Sequence, residues 1–245
     1  MAIARVSATM WSNATVRQLS GGGNNYVEKI ANAAIAAGTT LVAGVQIIGD
    51  KVPTFSDDVN GAWAGGNIWL PAASGALGAR WGLAWFPNSA AGTPTIRATL
   101  PDDTVNRSIA IAAYTGLDLT SPIILVGGNN GVSAEGSSDS AMDPGAITST
   151  TDALFIGLAA WSSPAGAATA GASFTGYQIT NGDYEWAIED RIVTGGATVN
   201  PSWSNKTFWK ALGIALKAAS TGSSGNPHAS KQANGGFNEL SGNIR

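Results

Sequence analysis

Hydrophobic residues in this chain come in short runs cut by glycine, proline, asparagine or aspartate. Near residue 97, Ile96, Ala98 and Leu100 share one parity while Thr95, Arg97 and Thr99 share the other. That period of two places one set on each face of a pleated strand. The stretch Leu154-Phe155-Ile156-Gly157-Leu158 is apolar at every position, which suits a central strand. About eleven segments read as strands bounded by turn residues. They are 41–48, 67–70, 79–86, 93–100, 107–114, 123–126, 153–161, 173–179, 184–193, 197–203 and 207–217. Segment 26–37 is the main helix rival, because its alanines favour a helix. Asn32 and the turn Gly38-Thr39-Thr40 fit strand–turn–strand as well, and strand is the preferred reading. No repeat of about 20–50 residues is visible, which argues against a propeller or solenoid.

These elements predict an all-β protein, a two-sheet antiparallel β-sandwich. Three zones are expected: an arm over 1–24, a sandwich domain over 25–218 and a flexible tail over 219–245. The arm ends in a hinge composition, Gly21-Gly22-Gly23-Asn24-Asn25. It carries spaced apolar anchors, Ile3, Val6, Met10 and Trp11; the tail carries Phe237, Leu240 and Ile244. Short elements of this kind are marginal alone. Both ends are therefore expected to dock on neighbours and to carry assembly.

Composition sharpens the picture. Charged residues make up 12% and glycines number 32, in a chain of 245 residues. Low charge with ample hydrophobicity is the opposite of a disordered composition. Net charge is −3 with no basic run, which argues against phosphate-neutralising contact with nucleic acid. The absence of cysteine excludes disulfides, thiolate zinc and a cysteine nucleophile. No run approaches the ~18 apolar residues of a membrane span. The first residues lack the apolar core of a signal peptide, so synthesis and folding in a cytoplasm are expected.

Several landmarks occur in order. Ser56-Asp57-Asp58-Val59-Asn60-Gly61-Ala62-Trp63 forms an acidic turn; Trp85-Phe86-Pro87-Asn88 precedes Ala91-Gly92-Thr93 and an alternating strand. Ala113-Tyr114-Thr115-Gly116-Leu117-Asp118 is followed by Ser121-Pro122, and Thr150-Thr151-Asp152-Ala153-Leu154 by the closing Trp209…Ala215-Leu216-Lys217. Over roughly residues 35–218 this order resembles the jelly-roll-like β-sandwich module of phage virion proteins (capsid decoration or tail) and bacterial surface proteins. Ala113 stands where that family has an acidic residue, and Gly61-Ala62 where it has Gly-Asn. The resemblance implies a sandwich fold and a virion location. The expected partners are other virion proteins and copies of the chain itself as a homo-oligomer. It implies no established ligand.

Candidate chemistry is sparse, so no enzyme and no cofactor are expected. His228 is the sole histidine and lies in the tail, where nothing would hold it as the base of a catalytic triad. Asp57, Asp58 and Asn60 are weak calcium candidates, and such residues are also ordinary turn formers. Asp102 and Asp103 read the same way. Glu185 and Glu189 fall on one strand face roughly 13 Å apart at ~3.3 Å per residue, too far for a retaining glycosidase pair. With Asp190 they read as a solvated strand face. Trp63, Trp69 and Trp81 are the candidate platforms for a host-surface glycan, the alternative being a lectin-like receptor-binding module. Core burial competes with that role, because tryptophan is a highly buried residue.

Overall fold

The computed structural model describes residues 2–6, 11–16, 25–49, 51–70, 79–101, 107–125, 131–136, 140–162, 167–181, 184–206 and 208–220. Among them every regular element is a strand and every pairing is antiparallel. The first half carries β1 (Ala4–Arg5), β2 (Ser12–Val16), β3 (Tyr26–Ile30), β4 (Thr39–Ile48), β5 (Thr54–Asp57), β6 (Gly61–Ala62), β7 (Asn67–Trp69), β8 (Ala79–Ser89), β9 (Thr95–Thr99) and β10 (Arg107–Thr115). The second carries β11 (Val132–Gly136), β12 (Ser140–Met142), β13 (Ile147–Ser149), β14 (Ala153–Ser162), β15 (Thr175–Asn181), β16 (Tyr184–Val193), β17 (Ala197–Val199), β18 (Trp203–Lys206) and β19 (Trp209–Lys217).

Two central sheets form the middle of the molecule. One has the order β1-β10-β4-β8-β7, with β2 also on β10; the other has the order β11-β19-β14-β16-β15. Their facing sides share one core, with Trp81, Leu83 and Tyr114 from the first and Ile156, Trp186 and Ile214 from the second. Each central sheet is also covered on its far side. A four-stranded sheet, β3-β9-β5-β6, closes the first through a core that includes Val45, Ile96 and Ile111. Two ribbons, β12-β18 and β13-β17, close the second around Trp161, Trp203 and Phe155. Strands buried on both faces cannot alternate, since neither parity meets water. Residues 153–161 and 209–216 are accordingly buried at every position.

The two halves are wound alike. In each, the first long strand (β4 or β14) lies between the last (β10 or β19) and the third (β8 or β16). A short strand just before the third takes the far edge (β7 or β15), and an early strand (β1 with β2, or β11) takes the other. In the first half the alternation between central and outer sheet is the winding of a jelly roll. The second half repeats it with an abbreviated outer layer.

Segment 26–37 is a strand, β3, followed by an isolated bridge from Ile35 to Gly92. The alanine preference for helix loses to pairing with β9, which buries Val27, Ala31 and Ile35. Gly38 makes the turn into β4 at a φ of 77°, where a side chain would be strained. Within β8 an extra residue is accommodated opposite Thr39 and Leu41, and Asn88 takes a φ of 59° there, a bulge.

The arm, expected to dock on neighbours, packs on its own chain. β1 and β2 pair along the open edge of β10, Ile3 and Trp11 are buried in the core between the central sheets, and half-buried Val6 packs on the first half's outer core. Gly116 makes this docking possible, since an added Cβ would lie 2.2 Å from the carbonyl oxygen of Ala2. Ile3 and Trp11 are therefore fold residues, used inside the chain, and Val6 is used there in part. Met10, Phe237, Leu240 and Ile244 lie outside the described residues, as do Asp102, Asp103 and His228.

Candidate functional site

The acidic turn after β5 is a closed hydrogen-bond cluster. Asp57 Oδ1 accepts the backbone N–H groups of Val59 (2.8 Å) and Asn60 (2.7 Å), and Oδ2 accepts Trp63 Nε1–H at 2.7 Å. Asn60 Nδ2 donates to both carboxylate oxygens, at 3.0 and 2.9 Å, and to Ser89 Oγ, while its own oxygen accepts the N–H of Ala90. Asp58 Oδ1 takes the N–H of Thr95 at 2.7 Å, which lowers its pKa. A calcium ion wants six to eight oxygen ligands. The oxygens of Asp57 face N–H donors instead, and the cluster serves to fasten this turn onto β8 and β9. Among the described residues no group of three or more His, Cys, Asp or Glu is arranged to hold a metal.

The three candidate tryptophans separate. Trp81 is fully buried between the central sheets, so it has no face for a sugar, and its role is core. Trp63 and Trp69 are half-buried and share one partner: both lie against Phe55, with centroids at 5.7 and 6.2 Å, and Trp63 meets Phe86 at 5.8 Å. Trp69 also covers Gly82 of the neighbouring strand, where an added Cβ would come within 2.3 Å of the indole.

The acids of β16 overturn the solvated-face reading. Glu189 and Asp190 are both fully buried, because the second central sheet is covered on both sides. Asp190 points into the middle of the sandwich, where Arg5 Nε donates to Oδ2 at 2.7 Å, Arg5 Nη2 to Oδ1 at 3.0 Å, and Tyr114 Oη to Oδ2 at 2.9 Å. The contact holds the Arg5 pKa up, and burial, followed by the Asp190 charge, pushes that of Tyr114 well up. Nearby, Trp186 Nε1 donates to Ser108 Oγ (2.9 Å), which donates to Gln46 Oε1 (3.0 Å). These two networks fasten the facing central sheets to one another. Glu189 points the other way, and burial raises its pKa to about 8. Half-buried Glu185 accepts Gln178 Nε2–H at 3.1 Å.

Among the described residues two open grooves can be followed. One, of about 380 Å³, lies on the outer sheet of the first half beside the Glu28–Arg97 ion pair (2.7 Å) and exposed Ile30. The other, of about 580 Å³, is lined by Asp118, Thr151, Asp152 and Lys217 and by Ala218 to Ser220, where the tail begins. Asp118 is held strongly acidic by the N–H groups of Ser121 and Thr120 and the Thr120 hydroxyl, and it pairs with Lys217 at 3.3 Å. Neither groove brings a nucleophile, a base and a third orienting group together in the way catalysis requires. No family model, no curated protein and no solved structure matches this chain.

Proposed function

We propose that this chain is a non-enzymatic structural protein of a bacteriophage virion, a capsid decoration or tail component that assembles with copies of itself and with other virion proteins. The observation that carries the reading is the double cover of both central sheets. The central strands are buried on both faces, and the fully buried acids Glu189 and Asp190 bind groups of the fold and line neither of the two grooves described above. Such a body suits a building block. The order of turn and strand motifs from Ser56 to Lys217 supports the virion setting.

With Ile3 and Trp11 used in the core, assembly falls to the tail and to the body's surface. Its docking segment is the stretch carrying Phe237, Leu240 and Ile244. Deleting 226–245 should leave a folded body and abolish incorporation into particles. Normal incorporation of that truncated chain would overturn the assembly role. Turnover in hydrolase screens that Asp or Glu substitution abolishes would overturn the non-enzymatic reading.

A lectin-like receptor-binding module is the second reading, and the half-buried Trp69 and Trp63, stacked on buried Phe55, are what favours it. A monomer that binds glycans, and loses them on Trp69→Ala, would place the protein there.

A further inference from the structure

Across the second central sheet, one row of cross-strand neighbours reads Gly176, Glu189, Gly157, Gly213. Glu189 is thus flanked by glycines on both adjoining strands. The trough this leaves on the outer face is filled from above. A Cβ added at Gly157 would lie 2.7 Å from Pro201 Cβ and 3.0 Å from Glu189 Oε1; one added at Gly176 would lie 2.7 Å from Ala170 Cβ. Ala170 belongs to a strap, residues 167–174, that lies beside β18. Glu189 Oε2 accepts the strap's Gly171 N–H at 2.8 Å, whereas Oε1 is buried and has no hydrogen-bond partner among the described residues. The strap's other ties are sparse: Ser204 N–H to Thr169 O (3.0 Å), Lys206 Nζ to Ala167 O (3.0 Å), Thr169 N–H to Ser204 Oγ (2.9 Å) and Ala168 N–H to Gln178 Oε1 (3.3 Å).

We infer that Glu189 is a proton-operated latch: as the neutral acid it lets strap 167–174 close over the glycine row, and on losing its proton it loosens the strap. An ionised carboxylate needs several donors when buried, and this one has Gly171 N–H alone among the described residues. Lifting the strap lets water supply the rest. The charged surroundings do not offset this. Asp190, the next residue, adds repulsion from the opposite face. Glu185 and Arg191 share Glu189's face of β16 by strand alternation, but neither is among the groups that act on its carboxyl. The strap, Gly157, Gly176 and Pro201 bring no charge, and the β18 cation Lys206 is held by Ala167 O and lies 5.8 Å from the Trp161 ring centroid.

The sign of the effect follows from linkage. The closed form holds the proton up to about pH 8, and the open, hydrated form only up to its ordinary value of 4.5. Opening therefore releases a proton between those limits, and its equilibrium rises about tenfold per pH unit there, on the order of a thousandfold in total, and is flat outside them.

Amide hydrogen exchange of the full chain, corrected for intrinsic rates, reads this directly. Protection of 167–174 should fall about tenfold per pH unit from pH 5 to 8 and level off above, while amides of β14 stay unchanged. In Glu189→Gln the slope should vanish. Flat protection in the natural chain, or an unchanged slope in the variant, would overturn the latch. Carbon-13 titration of the Glu189 carboxyl in the natural chain decides independently of whether the variant folds. A midpoint near 8 supports the latch and one in the usual carboxylate range sinks it.

Discussion

Where β9 meets β5 in the first half, a regular ladder runs from Thr54–Thr99 to Asp57–Ile96. In the second half β18 takes the corresponding place, and the strap meets it through one backbone bond among the described residues, Ser204 N–H to Thr169 O. Both arrangements must satisfy the polar backbone they bury. A ladder does so for any residues that tolerate a strand. An irregular strap needs particular side chains, and here Ser204, Lys206, Gln178 and Glu189 supply them. At this position the same winding thus carries two costs: the ladder of the first half needs only residues that tolerate a strand, and the strap of the second needs buried polar and charged side chains. This explains why Glu189 and Lys206 are buried in the second half at all.

The halves also close their central sheets differently, and that contrast gives the largest expected effect. β10 is bordered by the arm, whereas β19 is bordered by β11, a strand from within its own half. Deleting residues 2–16 removes the buried Trp11 and strips Asp190 of Arg5. Losing a buried tryptophan costs ~3–5 kcal/mol, and leaving a buried charge unpaired costs about as much. The two share a neighbourhood and will not simply add. A loss of at least about 5 kcal/mol in denaturant unfolding is expected, enough to unfold many domains. A truncated chain within ~1 kcal/mol of the full one would show that the arm is peripheral to the first half.

Trp209→Ala probes the second half alone. Trp209 is buried on the outer face of β19, donates to Ser140 Oγ at 3.1 Å, and packs so closely on Gly136 that an added Cβ there would lie 2.6 Å from the indole. The expected loss is ~3–5 kcal/mol. A loss under ~1 kcal/mol would mean that the ribbons over this sheet are dispensable. A step smaller is Gly44→Ala, where β4 packs directly on β16 of the other half. Its Cβ would meet Ile188 Cδ1 at 2.3 Å and the Trp186 ring at 3.2 Å. Repacking should cost ~1–3 kcal/mol by the same measurement. A neutral result would show slack between the central sheets.

The alternation near Ile96 and the unbroken apolar run at 154–158 made the strands legible, because period and burial are local signals. β1, at two residues, and β5, whose partners lie in β6 and β9, gave too little period to read. The arm's anchors were visible, but the edge of β10 they fill is formed by residues about a hundred positions away in sequence. The repeated winding left no sequence repeat, since strands and turns need only parity and suitable turn residues. Glu185 and Glu189 were correctly assigned to one face. The burial of Glu189 is not legible locally, because Pro201 and Gly171, which cover it, are brought there by tertiary structure. The glycines at 157 and 176 were the available signal, and only register reveals that they flank the acid.

The smallest effect tests whether the halves differ at their surfaces as they do inside. Each carries an exposed ion pair: Arg97 with Glu28 in the first, Lys217 with Asp118 where the second rejoins the 116–121 turn. Arg97 is the better placed of the two cations, since its guanidinium lies 4.1 Å from the Tyr26 ring centroid and reaches Glu28 through two nitrogens. Lys217 offers an ammonium at 3.3 Å, and Asp118 is already satisfied by Thr120 and Ser121. Exposed pairs contribute about 0–1 kcal/mol and weaken with salt. Lys217→Gln should therefore lie near the bottom of that range and Arg97→Gln toward its top, where cation–π contact is also lost. Unfolding at low and high salt separates the two contributions: the Lys217 effect should disappear in salt, and part of the Arg97 effect should persist. If Lys217→Gln proves the costlier, the anchorage of Lys217 and the following chain matters more to the second half than its interior does at this site, and the contrast between ladder and strap would have to be extended to the surface.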